Sequence, residues 1–194
     1  MTVAAIVLAA GASSRLGRPK QLVELDGEML LARAVRLVRE AGVAHVFVVL
    51  GAEFEAIVAA VDLSGVRVVR NVDWAAGIAG SIHAGLRAVE EFAPDAEGAM
   101  ILTCDQPRLS AGHLRELIAA FDALDARGIA ASEYAGLRGV PAVFPRGVFG
   151  ELYALSGDKG ARAVLAKPSC AIATVKFSGG ELDVDTPEDL ARLD

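Results

Sequence analysis

The residues best suited to chemistry are gathered in one loop near the N-terminus. Leu8-Ala9-Ala10-Gly11-Ala12-Ser13-Ser14-Arg15-Leu16-Gly17-Arg18-Pro19-Lys20 closes an apolar run. Small residues at Ala9, Ala10, Gly11 and Ala12 let a ligand approach the backbone, whose N–H groups donate to phosphate oxygens. Ser13 and Ser14 add hydroxyl donors. Arg15, Arg18 and Lys20 concentrate three cations in an acidic chain, so the ligand is expected to be an anion. Two familiar phosphate loops do not fit. Gln21 follows Lys20 where a P-loop needs Ser or Thr, and only Gly11 and Gly17 stand where a dinucleotide loop needs three glycines. Pro19 gives Lys20 a stiff base, and its loss is expected to cost turnover with little change in stability.

A second group of polar residues lies further along. Asp105 follows the apolar run Ala99–Leu102, and Asp183 and Asp185 precede Thr186-Pro187-Glu188-Asp189, which reads as a capping box with proline at N1. Ser81, behind Gly80, reads as the N-cap of a helix over Ser81–Phe92, and Asn71 suits a turn or a ligand contact. Trp74 reads as packing, Lys159 opens a glycine-bounded helix, and Cys104 reads as a small buried side chain. His45 and His113 lack metal-ligand spacing, and His83, nearer these residues, is given no role.

These residues need a scaffold, and the apolar pattern supplies one. Val3–Ala10, Val46–Leu50, Ala99–Leu102 and the weaker Val66–Val69 read as buried strands. Leu31, Ala34, Val35 and Val38 repeat at helical spacing up to Gly42, as do Leu114, Leu117, Ile118 and Phe121 between Ser110 and Gly128. Ile129–Tyr134 and Val140–Phe144 read as strands paired around a mobile 135–139 turn. Ala171–Phe177 reads as a last strand and Pro187–Leu193 as a last helix. Alternation of strand and helix predicts one Rossmann-like α/β domain over residues 1–194, mostly parallel with helices on both faces. Ligands then bind beyond the carboxyl ends of the strands.

Composition narrows the class. The chain has 194 residues, 54% hydrophobic, with a formal charge of −6, which excludes a disordered chain and argues against a nucleic-acid partner. Its longest apolar run, Val3–Ala10, falls short of the roughly 20 residues that cross a bilayer, and no cationic stretch precedes it. Two cysteines make no disulfide framework. A cytoplasmic protein without a membrane partner is expected.

Six motifs in order resemble the nucleotidyltransferases of molybdenum-cofactor biosynthesis. Leu8–Lys20 resembles their L-A-A-G-x-S-x-R-x-G-x-P-K loop. Residues 71–86 resemble N-x-x-W-x-x-G with G-S-x-x-x-G-L, and residues 102–107 resemble L-x-x-D-Q-P. Residues 139–144, 157–162 and 183–190 resemble G-x-P-x-x-F, G-D-x-G-A-R and D-x-D-T-P-E-D-L. The resemblance implies a Mg²⁺-dependent attack of an acceptor phosphate on the α-phosphorus of an NTP, with pyrophosphate leaving. It implies that Ala9, Ala10, Gly11 and Ala12 cradle phosphates, that Arg15 pairs with the leaving pyrophosphate, and that Lys20 reaches the α-phosphate. Asn71, Gly80 and Ser81 would contact the nucleoside. Asp105, at a strand end, and Asp185 would hold the metal, with Asp183 as the substitute, and Lys159 would meet the acceptor.

Ala10, where guanylyl-transferring relatives carry glycine, resembles the cytidylyl branch. That implies CTP as donor, molybdenum-bound molybdopterin as acceptor and a molybdoenzyme as recipient of the product. Guanylyl transfer in the same pathway, sugar-phosphate or methylerythritol-phosphate nucleotidyl transfer, and a non-catalytic nucleotide-binding module are the alternatives. A metal-dependent glycosyltransferase fits less well, because only Asp183-Val184-Asp185 supplies its D-x-D.

Overall fold

Seven consecutive buried residues, Val3–Ala9, form β1 in a computed structural model that describes residues 1–186, 188 and 189. The short hairpin β2 (Glu24–Leu25) and β3 (Glu28–Met29) leads into α1 (Leu30–Glu40), then β4 (His45–Leu50), α2 (Phe54–Ala60) and β5 (Arg67–Arg70). Next come α3 (Ile78–Phe92), β6 (Gly98–Thr103), α4 (Ala111–Asp122) and the antiparallel pair β7 (Ile129–Tyr134) and β8 (Leu137–Pro145). The short helices α5 (Phe149–Tyr153) and α6 (Arg162–Ala166) precede β9 (Ile172–Lys176).

The main sheet runs β5-β4-β1-β6-β8-β7-β9. β5, β4, β1 and β6 are parallel, β8 runs against both β6 and β7, and β9 is parallel to β7. Because side chains alternate along a strand, β1 feeds two cores. Ala5 and Val7 join Val35, Val38, Leu117 and Phe121 of α1 and α4. Ala4 and Ile6 join Ile82, Leu86 and Val89 of α3, with Leu152 and Leu165. Both faces are covered, which is why β1 and β6 read as continuous apolar runs.

Local differences from the sequence reading have physical causes. α3 starts at Ile78, not Ser81. Gly77 takes φ 113° at the cap, and the Ala79 amide donates to Gly157 O at 3.1 Å, so the helix gains a turn. A Cβ at Gly77 would lie 2.3 Å from that carbonyl, a place only glycine fits. Ser110 caps α4 as expected, its Oγ accepting from the His113 amide, but α4 ends at Asp122, well before Gly128. The expected 135–139 turn is only Ala135-Gly136, both with positive φ, because such a two-residue turn matches the twist of paired strands. Residues 137–139 therefore belong to β8. The helix read over Pro187–Leu193 lies outside the described residues except at Glu188 and Asp189.

Candidate active site

Two adjoining cavities open beyond the carboxyl ends of β1 and β6, sharing Leu8, Ile78 and Thr103. The first, about 430 Å³, is lined by the Ala9–Ser14 loop, Lys20, Gln21, Trp74, Gly77, Ser81, Asp105 and Asp158. The second, about 390 Å³, is lined by Tyr134, Val140, Arg162, Glu181 and Asp183 over an apolar floor that includes Ile101.

The first loop is built so that its carbonyls face the protein. Gln21, only 1% exposed, donates from Nε2 to Ala9 O at 2.6 Å and Gly11 O at 3.2 Å, and the Ala52 amide takes Ala10 O at 3.0 Å. Among the described residues, no protein acceptor takes the Gly11 or Ala12 amides. A Cβ at Gly11 would meet nothing within 4 Å, so backbone there borders open space. Free amides beside open space are what an anionic ligand needs. Ser13, in a left-handed conformation, also closes the loop on itself: its Oγ accepts from the Lys20 amide at 3.0 Å, which leaves its hydroxyl hydrogen to donate.

Lys20 is the hub of the charged residues. Its Nζ donates to Asp105 Oδ2 at 2.6 Å and Asp185 Oδ1 at 2.8 Å, while Arg15 reaches Asp185 Oδ2 at 2.8 Å. Burial works against the ammonium, but the two carboxylates outweigh it and hold its pKa above the usual lysine range. The hydrogen bond from Lys20 keeps Asp185 below the usual carboxylate range. Asp183 is pushed up to about 7 by desolvation and the nearby Asp105 and Asp185 charges. Lys20 is thus a half-buried ion-pair partner as well as a loop cation. The expectation that its loss spares stability is revised, since removing it leaves Asp105, whose side chain is 13% exposed, without its counter-charge.

Asp105 Oδ1 is buried and lacks any hydrogen-bond partner. An orphaned carboxylate oxygen, with Asp185 converging on the same ammonium, suits a hard cation that takes its remaining ligands from phosphates and water. Two carboxylates are what the protein offers: no group of three or more His, Cys, Asp or Glu among the described residues is arranged to hold a metal. Cys104 stays a buried thiol, its pKa pushed up to about 12 by burial.

The remaining expected residues divide. Asn71 and Ser81 come together, Asn71 Nδ2 donating to Ser81 Oγ at 3.0 Å, and Gly80 lies 3.6 Å from Asn71 Nδ2 when given a Cβ. Ser81 lines the first cavity, whereas Asn71 and Gly80 stand behind it. Lys159 is exposed and lines neither cavity; its neighbours Asp158 and Arg162 do. Lys159 sits at the end of a tight turn, its amide donating to Ser156 O at 3.2 Å. Gln21 and Asp158 were not singled out in the sequence; the only signal for Gln21 was a polar residue between Lys20 and an apolar pair.

No helix among the described residues is long and apolar enough to cross a membrane. The chain matches the family described as the MobA-like NTP transferase domain over residues 5–173. It is similar to nicotine blue oxidoreductase of Paenarthrobacter nicotinovorans, with 33% identity covering 98% of this chain and 96% of that protein. It is also 36% identical to a probable molybdenum cofactor guanylyltransferase of Opitutus terrae, over 59% of this chain and 54% of that one. Rv0371c of Mycobacterium tuberculosis superposes with a TM-score of 0.86 at 35% identity, covering 100% of this chain and 97% of that chain. A manganese complex of Rv0371c matches with a TM-score of 0.82 at 33% identity, covering 100% and 98%.

Proposed function

The chain belongs to the MobA-like NTP transferase family, and from that premise we propose that it moves CMP from CTP onto the phosphate of molybdenum-bound molybdopterin, releasing pyrophosphate. The observation that carries the reading is the convergence, in one cavity, of free loop amides, Lys20 and Asp105, with Asp185 held on the same Lys20 ammonium. Phosphoryl-type transfer asks a protein chiefly to position the reactants and neutralise charge, and these are the groups for it.

In this reading the amides of Gly11 and Ala12 hold the β- and γ-phosphates, and Arg15 pairs with the departing pyrophosphate. Lys20 leaves the aspartates to meet the α-phosphate, where negative charge grows. Asp105 and Asp185 would hold a divalent metal, Mg²⁺ in the working enzyme, which would supply positive charge against the phosphates. Ser81, held by Asn71, faces the nucleoside. The second cavity takes the acceptor, with Arg162 in the role that the sequence gave to Lys159. A molybdoenzyme receives the product.

Guanylyl transfer is the second reading, supported by the Opitutus relative. Product analysis with each of the four NTPs and molybdopterin, following pyrophosphate and the joined dinucleotide, separates them. CTP is expected to exceed GTP about tenfold in kcat/KM, a difference of about 1.4 kcal/mol. A tenfold preference for GTP would move the protein to the guanylyl branch, and NAD(P)H consumption without pyrophosphate release would replace transfer by a redox role.

A further inference from the structure

Asp105 and its neighbour Gln106 do more than end a strand. Gln106 is 3% exposed, and its amide donates twice, to Val140 O at 3.1 Å and Gly180 O at 3.0 Å. The Asp105 carbonyl accepts from the Val184 amide at 2.9 Å. Two consecutive residues therefore grip segment 180–184 at both ends, and Asp185 follows directly. The Val184 side chain, 1% exposed, is buried with Leu16, Val23 and Leu30, which flank the loop carrying Arg15 and Lys20. The second contact of Gln106, Val140, is a wall of the second cavity.

We infer that Gln106 is a positioning residue that fixes the spacing between Asp105 and Asp185, and so the affinity of that pair for a divalent metal. The inference rests on the metal-holding role proposed above. The geometry favours this part over simple packing. Both amide hydrogens of Gln106 are spent on carbonyls of two segments far apart in the chain, and its Oε1 has no partner. A residue kept only to fill space would not need donors, since burying an unmatched polar atom is costly. Val140 O also accepts from Tyr134 Oη at 3.2 Å, so loss of the amide leaves that contact a substitute. No other described donor takes Gly180 O, and segment 180–184 is the part that would shift.

Gln106→Met keeps the volume and removes both donors. Mn²⁺ is titrated into wild type and variant with saturating CTP, then with GTP, and followed by water-proton relaxation; nucleotide binding without metal is measured by calorimetry. The Mn²⁺ Kd is expected to rise about tenfold, the scale of one or two lost buried hydrogen bonds, with metal-free nucleotide affinity unchanged within about twofold. If Gln106→Met does not fold, Gln106→Asn, which keeps an amide too short to span both carbonyls, is read in the same way with the same expectation. Unchanged Mn²⁺ affinity in a folded variant, even one with a lowered melting temperature, overturns the inference. Failure of wild type to bind Mn²⁺ with either nucleotide would instead overturn the metal role of Asp105 and Asp185.

Discussion

The two cavities are made in different ways. The first is largely main chain: one continuous loop of small residues, its carbonyls tied down by Gln21 and Ala52, supplies most of one wall. The second is made of side chains from separate segments, with Tyr134 and Val140 from the antiparallel pair, Arg162 from α6, and Glu181 and Asp183 from the segment after β9. In the function proposed above, the backbone cradle takes what all nucleotides share, the phosphates. A cavity of assembled side chains can be changed one residue at a time, which is how a common reaction acquires a particular acceptor. Lys20 and Asp105 line the first cavity, and Lys20 Nζ is the junction that joins Asp105 to Asp185.

Substitutions at that junction should have the largest effects. Lys20→Met is expected to lower kcat about 10²–10³-fold, the scale of a preorganised donor aimed at developing charge. It also strips Asp105 of its half-buried partner, so the melting temperature should fall by roughly 5–10 °C without metal and recover when Mg²⁺ is added. Calorimetry with and without Mg²⁺ tests this; an unaltered melting temperature would make the ion pair incidental.

Asp105→Asn should abolish the rise in melting temperature on adding Mg²⁺ with CTP and lower kcat at limiting Mg²⁺ by about 10²-fold. Full turnover by the folded variant at limiting metal would remove Asp105 from the junction.

Arg162→Ala sharpens the contrast between the cavities. The acceptor KM should rise about tenfold or more, as for a lost charge-assisted hydrogen bond, with KM for CTP within about twofold. Equal rises in both would mean that the two cavities act as one.

A smaller effect tests the wall behind the second cavity. His113 stacks on Phe177 at 4.4 Å, and its Nε2 donates to Ser132 Oγ at 2.7 Å, since the Ser132 hydroxyl is spent on Pro141 O. Burial holds its pKa below the usual histidine value, against a weaker opposite pull from Glu116. The unfolded chain then takes the proton first, so stability is full above the ordinary pKa of about 6.5 and declines as pH falls below it. Between pH 7 and 5 the melting temperature of wild type should fall more steeply than that of His113→Leu; parallel slopes would show that His113 does not contribute.

The sequence by itself determined the sheet, the two helical layers and the small-residue loop after the first strand, because each is a local pattern. Runs such as Val3–Ala9 and Gly98–Thr103 announce strands covered on both faces, and Ala9–Ala12 beside Lys20 marks a loop of small residues and cations before any fold is known. Capping at Ser110 was equally legible, since the bond spans three residues. The tertiary structure alone decided what lies far apart in the chain. It brought Asp185 to Lys20 across 165 positions and Gly180 to Gln106 across 74, and it gave Lys20 a structural duty that no spacing shows. It started α3 at Ile78 because a carbonyl from Gly157 was there to accept, and it turned Lys159 outward while bringing Arg162 to the cavity. Local propensity acts over a few residues, whereas the placement of a charge or a buried amide depends on which distant partner the packed core delivers to it.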